Sequence, residues 1–288
     1  MKLAPLLLAA ALTAVTAVVA PAGTAFAQDK AKDPVNAGPY VPSPDSVVAD
    51  MLKLADVGAK DFVIDLGSGN GKIVLTAAKV FGASGFGVEI QDHLVKQSNE
   101  AAKQQGVAER VKFIKQDLFK TDISQATVLT MYLLPNTVNL LKDKLLAELR
   151  PGTRIISHDY PLTGWIPEKY VQMDLEEKVN ISGVTTTLIY LYMVPAKAGG
   201  TWTATMPASV SKSPVRLELV QQITKLNGTA RVDGKDLTLE EPKLHGERIT
   251  FRLPGRKAEF TGTVRGGTIE GLVEAGGVKA PWSAALAK

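Results

Sequence analysis

The segment at residues 61–71, Asp-Phe-Val-Ile-Asp-Leu-Gly-Ser-Gly-Asn-Gly, constrains the fold of this chain more than any other stretch. Phe62 to Leu66 is a short apolar run, typical of a buried strand, and Asp65 lies near its end. Glycines follow at alternate positions, and the apolar spacing over residues 73–81 predicts a helix. A strand, a glycine loop and a helix in this order bring backbone N–H groups to a ligand. We therefore expect an α/β fold with a parallel sheet and a ligand site at this loop.

The spacing of the glycines separates two classes of nucleotide cofactor. A dinucleotide-binding fingerprint reads G-x-G-x-x-G. This chain instead reads D-x-G-x-G-x-G, and Lys72 occupies the place of the fingerprint's third glycine. Asp65 is placed to meet a positively charged ammonium group rather than a phosphate, which favours S-adenosylmethionine as the cofactor. The residues assigned to its loop are Gly67, Ser68, Gly69 and Gly71.

Two further acids follow the next two predicted strands. Glu89 comes twenty residues after Gly69, where a carboxylate accepts hydrogen bonds from both ribose hydroxyls. Asp117 is placed to accept one from the adenine amino group, with Leu118 or Phe119 against the ring. Taken singly, each acid is more commonly a solvated residue at a strand end. Three acids at the carboxyl ends of successive parallel strands, where open α/β sheets bind ligands, favour the cofactor site.

Composition sets limits on function. The chain has 288 residues, enough for two domains, and 45% of them are hydrophobic. It contains no cysteine, which excludes disulfides and thiolate zinc sites, and its three histidines show no metal-ligand spacing. We therefore expect no metal. The net charge of +4 is too small to argue for nucleic acid, although it favours anionic partners such as a membrane or cell-envelope polymer.

The first 27 residues predict a secretory signal peptide. Lys2 is followed by an apolar run over residues 3–20 and by an A-x-A cleavage signal at residues 25–27. We expect an exported chain, periplasmic or secreted, with an inner-membrane anchor through residues 3–20 as the alternative. Residues 28–42 are polar and proline-rich, which indicates a linker. Export is at odds with a cofactor that is made in the cytoplasm.

The chain divides into two predicted domains. Residues 43–195 form the α/β domain, opening with Ser43 as the cap of the first helix. Its last elements are two long strands, residues 170–180 and 184–194, which we predict as an antiparallel pair joined at residues 182–183 with no helix between them. A small-residue linker, residues 196–200, leads to a second domain.

Residues 201–288 show short strands separated by Asn-Gly, Asp-Gly, Pro-Gly and Gly-Gly turns. They predict a small all-β barrel or sandwich. The similar segments at Trp202 and Trp282 indicate that its first and last strands are neighbours. The two tryptophans are interpreted as core packing or as a platform for ligand stacking.

Four segments together resemble the small class I S-adenosylmethionine-dependent methyltransferases of bacteria. The resemblance covers about residues 38–194 and implies a doubly wound, Rossmann-like sheet with an antiparallel terminal strand, and S-adenosylmethionine as the cofactor. Archaeal and mitochondrial members methylate protein lysine, some of it in membrane proteins, so the resemblance also implies a protein-lysine substrate. This chain has Asn70 where the family usually has an acid, and Lys72 where it usually has arginine. The four segments are Tyr40–Pro44, Asp65–Val74, Tyr132–Asn136 and Ser157–Tyr160.

A lysine acceptor must lose its proton, and an apolar, aromatic slot promotes this by disfavouring the charged amine. Tyr40 and Tyr132 are the main candidates for the walls of that slot, although Tyr132 is equally well read as core. His158 and Asp159 are candidates for a base and the group that orients it, or else simply end the fifth strand. The further wall candidates are Leu133, Leu134, Pro135 and Tyr160.

Other acceptors fit the sequence less well. A base-modifying amino-methyltransferase is expected to carry Asn- or Asp-Pro-Pro-aromatic after its fourth strand, and this chain has Tyr-Leu-Leu-Pro-Asn there. An arginine methyltransferase needs acids for the guanidinium, and residues 131–141 contain none. The alternative from a different class is an exported protein that binds an envelope ligand on a methyltransferase-like fold whose catalysis is lost.

Overall fold

The computed structural model describes residues 40–287, apart from the side chains of residues 181 and 182. The predicted signal peptide, the membrane-anchor alternative and most of the predicted linker therefore lie outside the described residues. None of the helices within the described range has the length and apolar character needed to cross a membrane.

Over residues 40–195, the described strands form one seven-stranded sheet in the order β3-β2-β1-β4-β5-β7-β6. The first five strands run parallel, while β7 pairs antiparallel with both β5 and β6. The predicted doubly wound sheet with an antiparallel terminal strand is confirmed. Its strands are β1 (Phe62–Leu66), β2 (Ser84–Glu89), β3 (Val111–Lys115), β4 (Val128–Met131), β5 (Arg154–His158), β6 (Lys169–Asp174) and β7 (Thr186–Met193).

Helices cover both faces of this sheet because side chains alternate along each strand. On β1, Val63 points into the apolar cluster formed with α1 and α2, and Ile64 points into the cluster formed with α4. A smaller cluster joins α2 and α3 to β3. The helices are α1 (Asp45–Leu54), α2 (Lys72–Phe81), α3 (Asp92–Gln104), α4 (Pro135–Glu148) and α5 (Glu176–Ser182).

Two local predictions were wrong. A helix, α5, separates β6 from β7, where we expected two long strands in a hairpin. Glu176 and Glu177 favour a helix N-terminus through the helix dipole, and Gly183, at φ +78°, ends the helix in the left-handed conformation. The helix α1 begins at Asp45 with Pro44 before it, and Ser43 makes no capping bond there.

The second domain is an antiparallel sheet of nine strands within the described residues, in the order β11-β10-β9-β8-β16-β15-β14-β13-β12. Strands β10 and β12, near its two edges, contact each other, so the sheet is a nearly closed barrel. The pairing of β8 with β16 confirms that the first and last strands are neighbours. The strands are β8 (Gly200–Thr205), β9 (Val215–Gln222), β10 (Lys225–Val232), β11 (Lys235–Thr238), β12 (Glu240–His245), β13 (Arg248–Leu253), β14 (Ala258–Arg265), β15 (Thr268–Ala275) and β16 (Val278–Leu286).

Both tryptophans of this domain lie in its interior. Trp202 and Trp282 are buried, and the ring of Trp282 packs edge-on against Phe251 and Phe260 at centroid distances of 5.6 and 5.3 Å. Each indole N–H donates to a backbone carbonyl, that of Trp202 to Ala198. Their surroundings are those of core residues.

The barrel meets the first sheet where β5 and β6 begin. The backbone N–H of Ala196 donates to the carbonyl of Gly246 at 2.8 Å, and His245 lies 3.4 Å from the carboxylate of Glu168. A Cβ on Gly246 would lie 3.4 Å from the Cα of Gly152, just before β5. The carboxyl ends of the parallel strands, where open α/β sheets bind ligands, lie at the opposite edge.

Candidate active site

Neighbouring side chains lie very close to the backbone of the glycine loop at the end of β1. Gly67, Gly69 and Gly71 have φ angles of +77°, +52° and +78°, in the left-handed region that favours glycine. A Cβ on Gly69 would lie 2.3 Å from the ring of Tyr40, and one on Gly67 would lie 2.7 Å from Leu133. No larger residue fits at these two positions without displacing its neighbour.

Asp65 is a buried carboxylate beneath this loop. It is 2% exposed, and the hydroxyl of Thr130 donates to its Oδ1 at 2.7 Å. Burial raises the pKa of Asp65, the Thr130 bond opposes this and the charge of Glu89 adds to it, so that the pKa is about 7. An ammonium group beside Asp65 would favour its ionised form. The neighbouring Ser68 Oγ is also buried and has no hydrogen-bond partner within the described part of the chain.

Glu89, at the end of β2, is fixed by backbone donors. Its Oε1 accepts from the N–H groups of Ile90 and Gln91 at 2.8 and 2.9 Å, and its Oε2 accepts from Gly69 at 3.1 Å. The carboxylate is thereby bonded to the glycine loop itself. Its orientation is set before any ligand arrives.

Asp117 follows β3 at the same edge of the sheet. Its Oδ1 accepts from the N–H of Phe119 at 2.9 Å and caps a single 3-10 turn, Leu118–Lys120. Leu118 is buried in the cluster beneath α4. Since β3, β2 and β1 are adjacent, the structure brings the acids of all three strands to one edge, as the sequence predicts.

These residues fit S-adenosylmethionine. The cofactor's ammonium group supplies the positive charge that the buried carboxylate of Asp65 favours, and its ribose diol suits the fixed carboxylate of Glu89. No group of three or more histidine or acidic side chains that could hold a metal is found among residues 40–287.

A second cluster lies at the ends of β4 and β5. The rings of Tyr132 and His158 pack against each other at a tilt, with centroids 4.0 Å apart and planes 34° apart. His158 is fully buried, and its Nδ1 lies 3.0 Å from the Oγ of Ser43. Burial lowers the pKa of His158 to about 4, so its ring is neutral at physiological pH.

Asp159 bonds to partners other than the expected one. Its Oδ1 accepts from Lys178 Nζ at 2.7 Å and from the N–H of Leu188 at 3.1 Å. The carboxylate also faces the phenol of Tyr132. His158 Nε2 lies 3.6 Å away, beyond hydrogen-bond distance, and has no partner among the described residues. Burial, and then the charge of Asp159, raise the pKa of Tyr132, so its phenol keeps its proton.

The sequence analysis missed Lys178, which is 2% exposed. It lies on α5, the helix that was predicted as strand. The pair Glu176-Glu177 ahead of it and Gly183 after it are the available helix signals.

The segment before α1 joins the two halves of the site. The ring of Tyr40 covers Gly69, while Ser43 reaches His158. Lys72 holds the segment through the carbonyl of Ser43 at 2.9 Å and the carboxylate of Asp45 at 2.6 Å. The structure thus places Tyr40 against the glycine loop and Tyr132 against His158.

Asn70 and Lys72 are the two departures from the family pattern. The side chain of Asn70 accepts from the backbone N–H of Lys72 at 3.2 Å, at the start of α2, a role open equally to an acid. The ammonium of Lys72 makes the contacts to the pre-helix segment described above.

Known proteins resemble this chain over the α/β domain. The ANTKMT methyltransferase domain matches residues 65–169. A protein-lysine N-methyltransferase of Saccharolobus islandicus is 41% identical over 157 residues, which cover 54% of this chain and 93% of that protein. The adenine nucleotide translocase lysine N-methyltransferase of Mus musculus is 34% identical over 129 residues, which cover 45% of this chain and 56% of that protein.

Solved structures include an RNA methyltransferase from Salinibacter ruber in complex with S-adenosyl-L-homocysteine. It is 44% identical to this chain, and the match covers 53% of this chain and 93% of that protein, with a TM-score of 0.48.

Proposed function

Because this chain belongs to the class I S-adenosylmethionine-dependent methyltransferase family, we propose that it methylates the side-chain amine of lysine residues in a protein substrate. The likeness to the archaeal lysine methyltransferase, which spans nearly the whole of that protein, is the observation that carries the proposal. The family membership itself makes the chain a methyltransferase with S-adenosylmethionine as its cofactor.

The residues of the glycine loop have defined roles in this proposal. Asp65 would hold the cofactor's ammonium group and Glu89 its ribose hydroxyls, with the backbone of Gly67 to Gly71 against the cofactor. Asp117 would take the adenine amino group. When bound, S-adenosylmethionine supplies a methyl group on a sulfonium, and the C–S bond breaks with its electron pair left on sulfur as the acceptor nitrogen forms the new bond.

On the acceptor side, the protein's task is to orient an uncharged amine and exclude water. Tyr132 presents a protonated phenol, and its ring is fixed by His158 and Asp159. His158 is neutral and fully buried, so it acts as a packing partner of Tyr132, and the amine's proton passes to solvent before transfer. A neutral aromatic wall disfavours the charged form of the acceptor, which is the form that cannot react.

Tritiated-methyl transfer tests the proposal. The chain is incubated with labelled S-adenosylmethionine and protein extracts of the source organism, membrane and soluble fractions separately, and the labelled residue is identified by mass spectrometry. We expect methyl-lysine. Label on RNA, DNA or a small molecule would refute the lysine proposal, and cofactor binding without any label would favour the ligand-binding alternative.

We also propose export of this enzyme, on the strength of residues 1–27 alone. Sequencing the N-terminus of the mature chain tests this. A start at Gln28 supports cleavage and export, and an intact Met1 in the cytoplasmic fraction overturns it.

A further inference from the structure

A buried ion pair lies beside Tyr132, outside the residues assigned to the cofactor. Lys178 is 2% exposed, and its ammonium donates to Asp159 Oδ1 at 2.7 Å and to the carbonyl of Thr186. Breaking such a pair by removing one partner is strongly destabilising, because it leaves an uncompensated buried charge. Removing the Lys178 ammonium would therefore change the electrostatic surroundings of Asp159 and of the neighbouring Tyr132.

The carboxylate of Asp159 is held in a fixed direction. Its backbone has φ +63°, uncommon for a residue with a side chain. The N–H of Asp159 donates to the carbonyl of Leu188 at 2.7 Å, and the N–H of Leu188 donates back to the carboxylate at 3.1 Å. Lys178 bonds to this carboxylate, which also faces the phenol of Tyr132 and raises the pKa of that phenol.

The charges of Lys178 and Asp159 affect the protonation state of the acceptor amine. A carboxylate beside the slot would, if unpaired, stabilise the ammonium form of an incoming lysine. That form has no lone pair on nitrogen and cannot accept a methyl group. A cation bonded to the carboxylate cancels this attraction.

We infer that Lys178 is a positioning residue for methyl transfer, which holds Asp159 against Tyr132 and neutralises that carboxylate so that the acceptor amine enters the slot uncharged. The inference rests on the proposed lysine methylation. It assigns to α5 a part in selecting the protonation state of the substrate.

The groups around Asp159 are consistent with this role. The titratable side chains that face it come from four elements and their ends: His158 on β5, Tyr132 after β4, Tyr190 on β7 and Lys178 on α5. Burial lowers the pKa of His158, Asp159 opposes that effect, and Lys178 adds to it. Burial also raises the pKa of Tyr190, as does the charge of Asp159. The ring of His158 therefore reports the balance between the two charges.

Two variants of the full chain test the inference by shifts of opposite sign. Lys178→Met removes the ammonium and leaves Asp159 unpaired. The rate of methyl transfer should then reach half its maximum at a pH about one unit higher, with kcat at pH 7.5 about tenfold lower and KM no higher. Asp159→Asn keeps a side-chain oxygen that accepts from the N–H of Leu188, but it removes the negative charge and leaves the Lys178 ammonium without a carboxylate partner. Its profile should move about one unit lower.

A purely structural role predicts something else. Loss of packing lowers kcat in both variants without moving the pH profile, or moves both profiles in one direction. The double variant, with neither charge, separates the two cases further. Charge cancellation predicts that its profile returns to that of the unmodified chain, and a profile displaced as far as that of Lys178→Met would overturn the inference.

The pKa of His158, measured by NMR, tests the inference without any methyl acceptor. In the chain labelled with 13C-histidine, the His158 resonance is assigned by its loss in His158→Gln and titrated without cofactor or substrate. Lys178→Met should raise the pKa of His158 by about one unit, and Asp159→Asn should lower it. Unchanged titration in both variants overturns the inference. A label on something other than lysine refutes the proposed function but leaves these shifts measurable. If Lys178→Met does not fold, the pH profiles and the His158 titrations of Asp159→Asn and of the double variant test the inference.

Discussion

The ring of Tyr132 packs at a tilt against the ring of His158 at a centroid distance of 4.0 Å, and its phenol faces Asp159 rather than a cofactor residue. One face and one end of this side chain are therefore fixed by β5. The glycine loop that is assigned to the cofactor is built from β1 and α2. The acceptor side and the cofactor side are thus supported by different strands.

Replacing Tyr132 by alanine should abolish methyl transfer while leaving the Kd for S-adenosylmethionine within about threefold, the pattern of an interaction used in the transition state. Calorimetry measures the affinity and tritiated-methyl transfer measures the rate. Tyr132→Phe is the matched control, because it keeps the ring against His158 and loses only the hydroxyl near Asp159. It should retain part of the activity. A large loss of cofactor affinity in Tyr132→Ala would place Tyr132 in the cofactor site instead.

The pKa of Asp65 makes cofactor binding depend on pH. Because burial raises that pKa to about 7, the free protein holds a proton on Asp65 below pH 7. Binding an ammonium group requires the ionised form, so the Kd should fall up to about tenfold per unit between pH 5 and pH 6.5, then level off. Calorimetry across this range measures it. In Asp65→Asn the Kd should be higher and flat with pH, and a wild-type slope in that variant would contradict the assignment.

The same shift affects the stability of the protein without cofactor. Asp65 holds its proton in the folded state between its ordinary pKa of 3.8 and about 7, whereas the unfolded chain releases it. The free energy of unfolding should therefore fall as pH rises through this window, by about 4 kcal/mol for a full shift of this size. Urea unfolding at pH 4.5 and pH 8 should show about 3 kcal/mol of this decrease. Asp65→Asn should lose this decrease, and an equal decrease in that variant would mean that another group causes it.

The sequence predicted where the residues assigned to the cofactor lie because the fold's requirements there are local. Asp65, the alternate glycines and the following helix lie within twenty residues, and each has a recognisable signal. Glu89 and Asp117 follow from the strand ends, since parallel strands place their carboxyl ends at one edge. The doubly wound sheet followed from the family resemblance, and the barrel's neighbouring end strands followed from the similar segments at Trp202 and Trp282.

The acceptor half was predicted less well because it depends on contacts between distant residues. Ser43 resembled a helix cap, yet it lies against His158, 115 positions away. Asp159 was paired with the adjacent histidine because the two are neighbours in sequence. Its partner in the structure is Lys178, which lies on α5, a helix that we predicted as part of a strand. Side-chain partners across a sheet leave no periodic signal in one sequence.

Glu89 should anchor both the ribose and the loop. Glu89→Ala removes an acceptor from three backbone N–H groups as well as from the cofactor's diol, so affinity for S-adenosylmethionine should weaken by about 2–4 kcal/mol. Calorimetry measures the affinity, and circular dichroism shows whether the fold survives, as expected for a residue at a strand end. Glu89→Gln, which keeps one acceptor oxygen, should lose less. Wild-type affinity in Glu89→Ala would remove this residue from the site.

The barrel should be dispensable for cofactor binding. It meets the α/β domain at the amino ends of β5 and β6, and Ile223, in the turn between β9 and β10, packs against the cluster beneath α4. A chain shortened to residues 28–195 should therefore fold and bind S-adenosylmethionine within about threefold of the full chain. Its free energy of unfolding should fall by about 1–2 kcal/mol for the lost apolar contact. Calorimetry and urea unfolding measure both. Ile223→Ser in the full chain is the control and should reproduce the loss of stability alone. Insoluble or unfolded protein after truncation would show that the two domains share a core, and weakened binding in a well-folded chain would show that the barrel reaches the site.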